Sequence, residues 1–351
     1  MAQAPWDVII VGQGLAGTTL AWHLLEAGQR VLVIDACEPG TSSKIAAGMI
    51  TPITGKRMAM SWRLDEFLPI ARTFYASIEA RTRQRFFHER TAVRLFKSDE
   101  EQQNWSKRRQ KPDYQSHLLN LQPSPLLDPG LGEASGGGFA MHAAQLDVAA
   151  YLEASRAVLE CEQMTLDWER DVAFSAEGVS VGQHKTNLLV SCEGYAATRN
   201  PYFSWVPFIA AKGDILTVRF HAPVPPLCLH RGIWVAPTAD PEVFRIGSTY
   251  DWDTLDQVPS KSARADIERR LKAFFHVPYT VLEHQAAVRP IIQESKPLIG
   301  LHPEHEQLGY FNGLGSKGSL LAPWYAQCFT DFLVHQTPLP KDLDIRKHFN
   351  P

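Results

Sequence analysis

One short stretch constrains the chain more than any other, an apolar strand that runs directly into a glycine turn. Val8-Ile9-Ile10-Val11 is followed by Gly12-Gln13-Gly14-Leu15-Ala16-Gly17. Ala16, Leu20 and Leu24 then fall on one stripe at helical spacing, and Gly28 marks the expected stop. A second apolar run, Val31-Leu32-Val33-Ile34, ends on Asp35. The pattern predicts a strand–helix–strand unit with G-x-G-x-x-G at its first turn, the signature of a dinucleotide site. Gly12 permits the tight turn, Gly14 lets the backbone approach a pyrophosphate, and Gly17 lets the helix lie close to the sheet. The helix start at Leu15 and Ala16 offers free N–H groups and partial positive charge to phosphate. Asp35, about 20 residues on, is placed to accept from a ribose hydroxyl. NAD and FAD both remain open on this evidence.

At 351 residues the chain holds more than this unit and suits two closely packed domains. A net charge of −3 implies no bulk attraction to nucleic acid or to a membrane surface. Two basic runs, around Arg83 and around Arg108, read as solvated surface. The five cysteines show no CxxC or Cys/His metal spacing, so reduced thiols, a cytoplasmic location and no metal are expected. The first apolar run is too short and lacks the flanks of a signal peptide. No run of about 18 apolar residues predicts a membrane-spanning helix.

Downstream of Asp35, the segment from Ala36 through Ser42, Ser43, Ala46, Ala47, Gly48 and Met49 is built of small residues. It could form a backbone-lined cradle with hydroxyls for phosphate, or a plain surface loop. Helices are expected from Trp62 to about Arg85, from Ser98 to Lys111, from Asp147 to Leu159 and from Ser260 to Phe275. Strands are expected at 91–96, 172–174, 179–181, 188–190, 233–237 and 244–250, a loop at 123–138, and a crossing between domains at 207–226. Trp234 and Tyr250 suit either a core or a cavity wall. Arg289 sits in an apolar strand after Ala286-Ala287-Val288, where a charge is costly to bury unless paired. The residues favour an internal carboxylate as partner, with an anionic ligand as the alternative. Near the end, Gly313-Leu314-Gly315-Ser316-Lys317-Gly318-Ser319 repeats the strand, glycine turn and helix start.

Three of these stretches resemble the D-amino-acid oxidase superfamily of flavoenzymes, and glycine oxidase in particular. They are Ser-Ser-x-x-Ala-Ala-Gly-Met at 42–49, Arg289-Pro290 with Pro297-x-Ile299-Gly300, and the glycine turn at 313–318. The resemblance implies FAD, bound non-covalently. It implies an α/β fold with a Rossmann-type FAD-binding domain and a mostly antiparallel β-sheet substrate domain. The expected FAD domain is discontinuous (1–80, 140–205 and 286–351), with substrate-domain pieces at 81–139 and 206–285. By the same resemblance the 42–49 segment runs beneath the flavin, and Val172 and Cys192-Glu193-Gly194 lie near the adenine or phosphates. Cys192 stands where the family has alanine. Gly313, Gly315, Ser316, Gly318 and Ser319 then hold the reduced flavin's negative charge at a helix start. Gly136-Gly137-Gly138 resembles the family's return to the FAD domain, and Lys212-Gly213-Asp214-Ile215-Leu216 resembles the opening of one of its strands.

The resemblance implies that Arg289 forks onto a substrate carboxylate and holds the Cα–H over flavin N5 for hydride transfer, with Tyr250 and Lys317 beside it. The substrate is then a small amino acid or N-substituted glycine, with oxygen or another electron acceptor as the second partner. The Gly-Leu-Gly-Ser-Lys-Gly run also resembles the oxidase half of the enzyme that trims carboxymethylaminomethyl-uridine in tRNA, which has arginine at the position of Lys317. That makes a nucleic-acid substrate one alternative. A non-catalytic flavin-binding partner and an NAD-dependent dehydrogenase are two others.

Overall fold

The structure is a computed structural model and describes residues 5–120 and 137–350. Most of the expected 123–138 loop, with Gly136, lies outside the described residues. The first sheet has eight strands. Trp6–Val11 sits at its centre, parallel to Val31–Asp35 on one side and to His184–Ser191 on the other. Cys161–Gln163 extends the sheet beyond Val31–Asp35, and Leu308–Asn312 joins His184–Ser191 in parallel. The hairpin Val172–Ser175 and Gly178–Val181 and the strand Leu298–Leu301 add antiparallel edges.

The helix Leu15–Glu26 returns over one face of this sheet. It packs there with the helices Leu64–Thr82, Val148–Arg156 and Gly318–His335 around Ile10, Leu20, Trp22, Phe67 and Tyr325. Ile9, Val11, Leu32, Leu189 and Tyr310 fill the other face with Trp168 and Phe203. Successive residues of Val8–Val11 thus point to opposite covered faces, which is why the strand reads as a continuous apolar run.

Among the described residues the second sheet has nine strands and pairs antiparallel, except where Cys228–His230 runs parallel to Phe87–Leu95. Its spine is Tyr279–Arg289, Ala211–Phe220, Val243–Gly247 and Trp234–Pro237. The helix Lys261–Lys272 covers one face through Ile267 and Leu271, and the Ser260 hydroxyl accepts from the Ala263 N–H (3.1 Å) as its cap. Among the described residues, no helix is long and apolar enough to cross a membrane.

Two segments differ from expectation. The stretch 207–226, expected as a crossing, carries the ten-residue strand Ala211–Phe220, which begins where the family resemblance sets a strand opening at Lys212 to Leu216 but runs on to Phe220. Lys212 and Asp214 hid its apolar pattern, yet both are buried with partners in place. Lys212 Nζ donates to Asp256 and to the Val258 carbonyl (2.5 Å each). The Asp214 carboxylate accepts from the Ser260 N–H (3.0 Å) and contacts the His284 ring (2.8 Å). Gly138–Leu146 is also a strand, although its alanines have little strand preference. Nine residue pairs with Phe87–Leu95 hold it. The expected domain limits at 139/140 and 285/286 fall inside Gly138–Leu146 and Tyr279–Arg289, both strands of the second sheet.

Candidate active site

A cavity of about 740 Å³ lies between the two sheets, within the range of small-molecule sites. Residues from many separate stretches line it, among them Gly12 to Ala16, Asp35 and Ala36, Ser42 to Met49, Cys192 to Gly194, Ala287 to Pro290 and Leu314 to Ser316. Gly12 has φ +107°, and a Cβ there would press on the Cys192 carbonyl oxygen at 2.5 Å. Gly17 does not line the cavity. It lets the helix close on the sheet, since a Cβ would run into the carbonyl of Gly12. The Asp35 carboxylate accepts from the N–H of Gln13 and of Cys37 (2.7 Å each), which fixes it at the turn. Ser43 reaches across, and its hydroxyl accepts from the Leu15 N–H (3.1 Å).

Glu193 ties the opposite wall together. Its carboxylate accepts from Ser191 Oγ (2.7 Å), Asn200 Nδ2 (2.9 Å) and Trp168 Nε1 (3.0 Å). Asn312 Nδ2 donates to the Gly194 carbonyl (2.8 Å) and joins this wall to the C-terminal turn. There Gly315 has φ +56°, and Ser316, Gly318 and Ser319 line the cavity at the start of the helix Gly318–His335. Two helix N-termini and two glycine turns therefore face one space, an arrangement suited to a long ligand with a negatively charged middle. The small-residue segment at 42–49 is a wall and not a surface loop. A Cβ on Gly48 would strike the Leu146 carbonyl, so that segment lies directly on the second sheet. These residues fit FAD.

Arg289 closes the far end. Its Nη2 donates to Ser248 Oγ (2.7 Å) and to the Thr249 carbonyl (3.3 Å), and its guanidinium lies 4.2 Å from the ring centre of Tyr250. Nη1 is buried with no partner among the described residues. No carboxylate pairs with this arginine there, so the internal ion pair favoured by the residues is not what forms. Burial pushes its pKa below the ordinary arginine value, opposed by Tyr250 and by Asp214. Asp214 acts through position. The Asp214 N–H donates to Thr249 Oγ1 (2.9 Å), which sets the loop bearing Ser248 and Thr249. Gly213 leaves room for the guanidinium, since a Cβ would collide with it.

Tyr250 is 53% exposed and stands with Trp234 at the junction with a second cavity. Lys317 lines that second cavity and not the first, and its Nζ lies 3.5 Å from Ser61 Oγ. Surrounding protein lowers the Lys317 pKa. Besides Gly17 and Lys317, two more expected cofactor residues are not brought to the wall. Val172 packs in the core beside Val181 and Trp168, and Gly313 turns against Ile292. The adjacent wall is instead Met164 to Glu169, which follows the strand Cys161–Gln163. That strand is only three residues long, too short to carry a periodic signal. Ser248 and Gln257 also line the cavity without having been singled out, and a polar loop residue gives no cue before its neighbours are known.

The chain is similar in sequence to the glycine oxidase of Pseudomonas putida, at 23% identity over 95% of this chain and 96% of that protein. It is 25% identical to the bifunctional protein ThiO/ThiG of Trichormus variabilis over 95% of this chain, and it spans about half (53%) of that longer protein. The crystal structure of glycine oxidase from Geobacillus kaustophilus shares the fold, with a TM-score of 0.80, 21% identity and coverage of 99% and 100% of the two chains. The family model described as FAD dependent oxidoreductase matches residues 7–332, so the chain belongs to that family and FAD, held non-covalently, is its cofactor.

Proposed function

We propose that this enzyme oxidises the C–N bond of a small amino acid or N-substituted glycine. The observation that carries the reading is the buried Nη1 of Arg289, which has no partner among the described residues, in a side chain that lines the same cavity as the glycine cradle. A substrate carboxylate would satisfy it and convert a costly buried charge into a bidentate pair. Tyr250 holds the guanidinium from one side, Ser248 and Thr249 from another, and Gly213 keeps the space behind it clear. Orientation supplies much of the catalysis, because the fixed carboxylate leaves the Cα–H little freedom. FAD held by the cradle would supply the hydride acceptor, and the fixed carboxylate aligns the Cα–H and the amine lone pair for C=N formation. Water then adds to the imine carbon and the amine departs, leaving a carbonyl acid. The cradle and both helix starts belong to the proposed FAD domain, and Tyr250 belongs to the substrate domain.

A second reading applies the same chemistry to a carboxymethylamino base in tRNA. Tyr250 and Trp252 favour it, since both are more than half exposed and stack at 6.0 Å on the rim, as a base-binding platform does. Anaerobic bleaching of the flavin tests both readings. Glycine, sarcosine, iminodiacetate, N-alkyl glycines and the enantiomers of common amino acids form the panel. Bleaching by a carboxylated amine, lost in Arg289→Ala, is the expected result. A flavin that no panel member reduces, together with a salt-dependent tRNA gel shift, selects the second reading. Absence of both leaves a non-catalytic flavin-binding protein.

A further inference from the structure

Beside the FAD cavity lies a second one of about 770 Å³. The two share Met49, Trp234, Tyr250 and Ser316 as a common wall. Seven cationic side chains and one carboxylate, Glu101, line the second cavity. That is an unusual excess in a chain whose net charge is −3. Glu101 meets Arg94 Nη2 at 3.2 Å, and Asp266 pairs with Arg269 and Arg270. Lys56, Lys97 and Lys317 have no carboxylate partner among the described residues. Arg94 is the telling member. It is 3% exposed, and its Nε is buried without a partner among the described residues. His230, its neighbour across the sheet, likewise has an unpartnered Nδ1. A buried guanidinium with one donor left over beside its Glu101 partner, next to exposed lysines that have no carboxylate, has room for a further anion. The FAD pyrophosphate is not that anion, because Gly12 and Gly14 line only the first cavity.

We propose that the second cavity is an oxyanion subsite that holds a phosphate or carboxylate at the far end of the substrate's amine substituent. This deepens the reading above and rests on it. Arg289 takes the glycine carboxylate, the reacting C–N bond lies near the shared wall, and the tail passes Tyr250 and Trp234 into the cationic space. A cavity of about 770 Å³ is of small-molecule size, which favours a small dianionic substrate over a polynucleotide.

The test uses holoenzyme and three N-alkyl glycines of matched length, ending in a methyl, a carboxylate or a phosphate. An anionic tail is expected to lower KM by roughly tenfold or more with little change in kcat. The double variant Lys56→Gln/Lys97→Gln is expected to abolish that advantage while leaving the methyl-tailed substrate unaffected. The preferred tail identifies the oxyanion. Equal KM for all three tails in wild type, or an advantage that survives the double variant, overturns the proposal.

Calorimetry with inorganic phosphate and with succinate reads the subsite without turnover. Binding that the double variant loses supports it, even where no glycine derivative reduces the flavin and the functional reading has failed. Absence of binding by either anion overturns it. Tight tRNA binding that phosphate displaces would overturn the small-molecule occupant.

Discussion

Arg289 shows what a single residue can and cannot declare in advance. An arginine after Ala-Ala-Val announces a buried charge, but its partner is a matter of what lies around it in space. Asp214, the buried carboxylate of the neighbouring strand, is engaged by His284 and Ser260 and influences the arginine only from a distance. A buried charge that lacks its counter-ion contributes little to stability. Arg289→Met is therefore expected to cut kcat/KM roughly a thousandfold while shifting Tm by no more than about 3 °C. Thermal melts beside steady-state kinetics check this, and a large drop in Tm would reassign the residue to the core. Ser248 and Thr249 show the converse. They are small polar residues that matter because Asp214 fixes their loop, and neither carried a signal of its own.

Among elements, the long apolar-periodic ones were the most legible. The first strand, its glycine turn, the helix Leu15–Glu26 and the Ser260-capped helix all stand where their patterns put them. Gly138–Leu146 was not legible because it is alanine-rich, and Ala211–Phe220 showed only its opening, by resemblance, because its polar residues are satisfied only by a partner strand and loop. The helix Leu15–Glu26 also carries a pH liability. His23 stacks on Phe74 at 4.8 Å, its Nε2 is buried without a partner, and burial lowers its pKa to about 4. An unfolded histidine titrates near 6.5, so the unfolded state binds the proton first as pH falls. Stability is then unaffected above about pH 6.5 and declines between there and about pH 4, by roughly 3 kcal/mol. His23→Phe is expected to flatten that part of the curve in urea unfolding measured from pH 7 to pH 4. An unchanged slope would place the acid sensitivity elsewhere, with His230, held at about 3 by burial and Arg94, as the next group to test.

For the whole molecule, the cofactor cavity gathers residues as far apart as Gly12 and Ser319. FAD should act as a clamp across the chain. A free concentration of about 100 times Kd is expected to add about 2.7 kcal/mol and raise Tm by roughly 4 °C over the apoprotein. Scanning calorimetry with and without FAD checks this, and identical melts would mean that the cradle closes only loosely on the cofactor. Local order alone was enough to reveal the glycine turns, a dinucleotide site and the presence of a buried arginine, because each depends on a few consecutive residues and their spacing. Three features came only from the tertiary structure. They are the missing partner of Arg289, the wall at 164–169 in place of Val172, and the convergence of Lys56, Arg94, Lys97 and Lys317 on one chamber. Each is a relation between side chains brought together by the pairing of distant strands, and no spacing along the chain encodes such a relation.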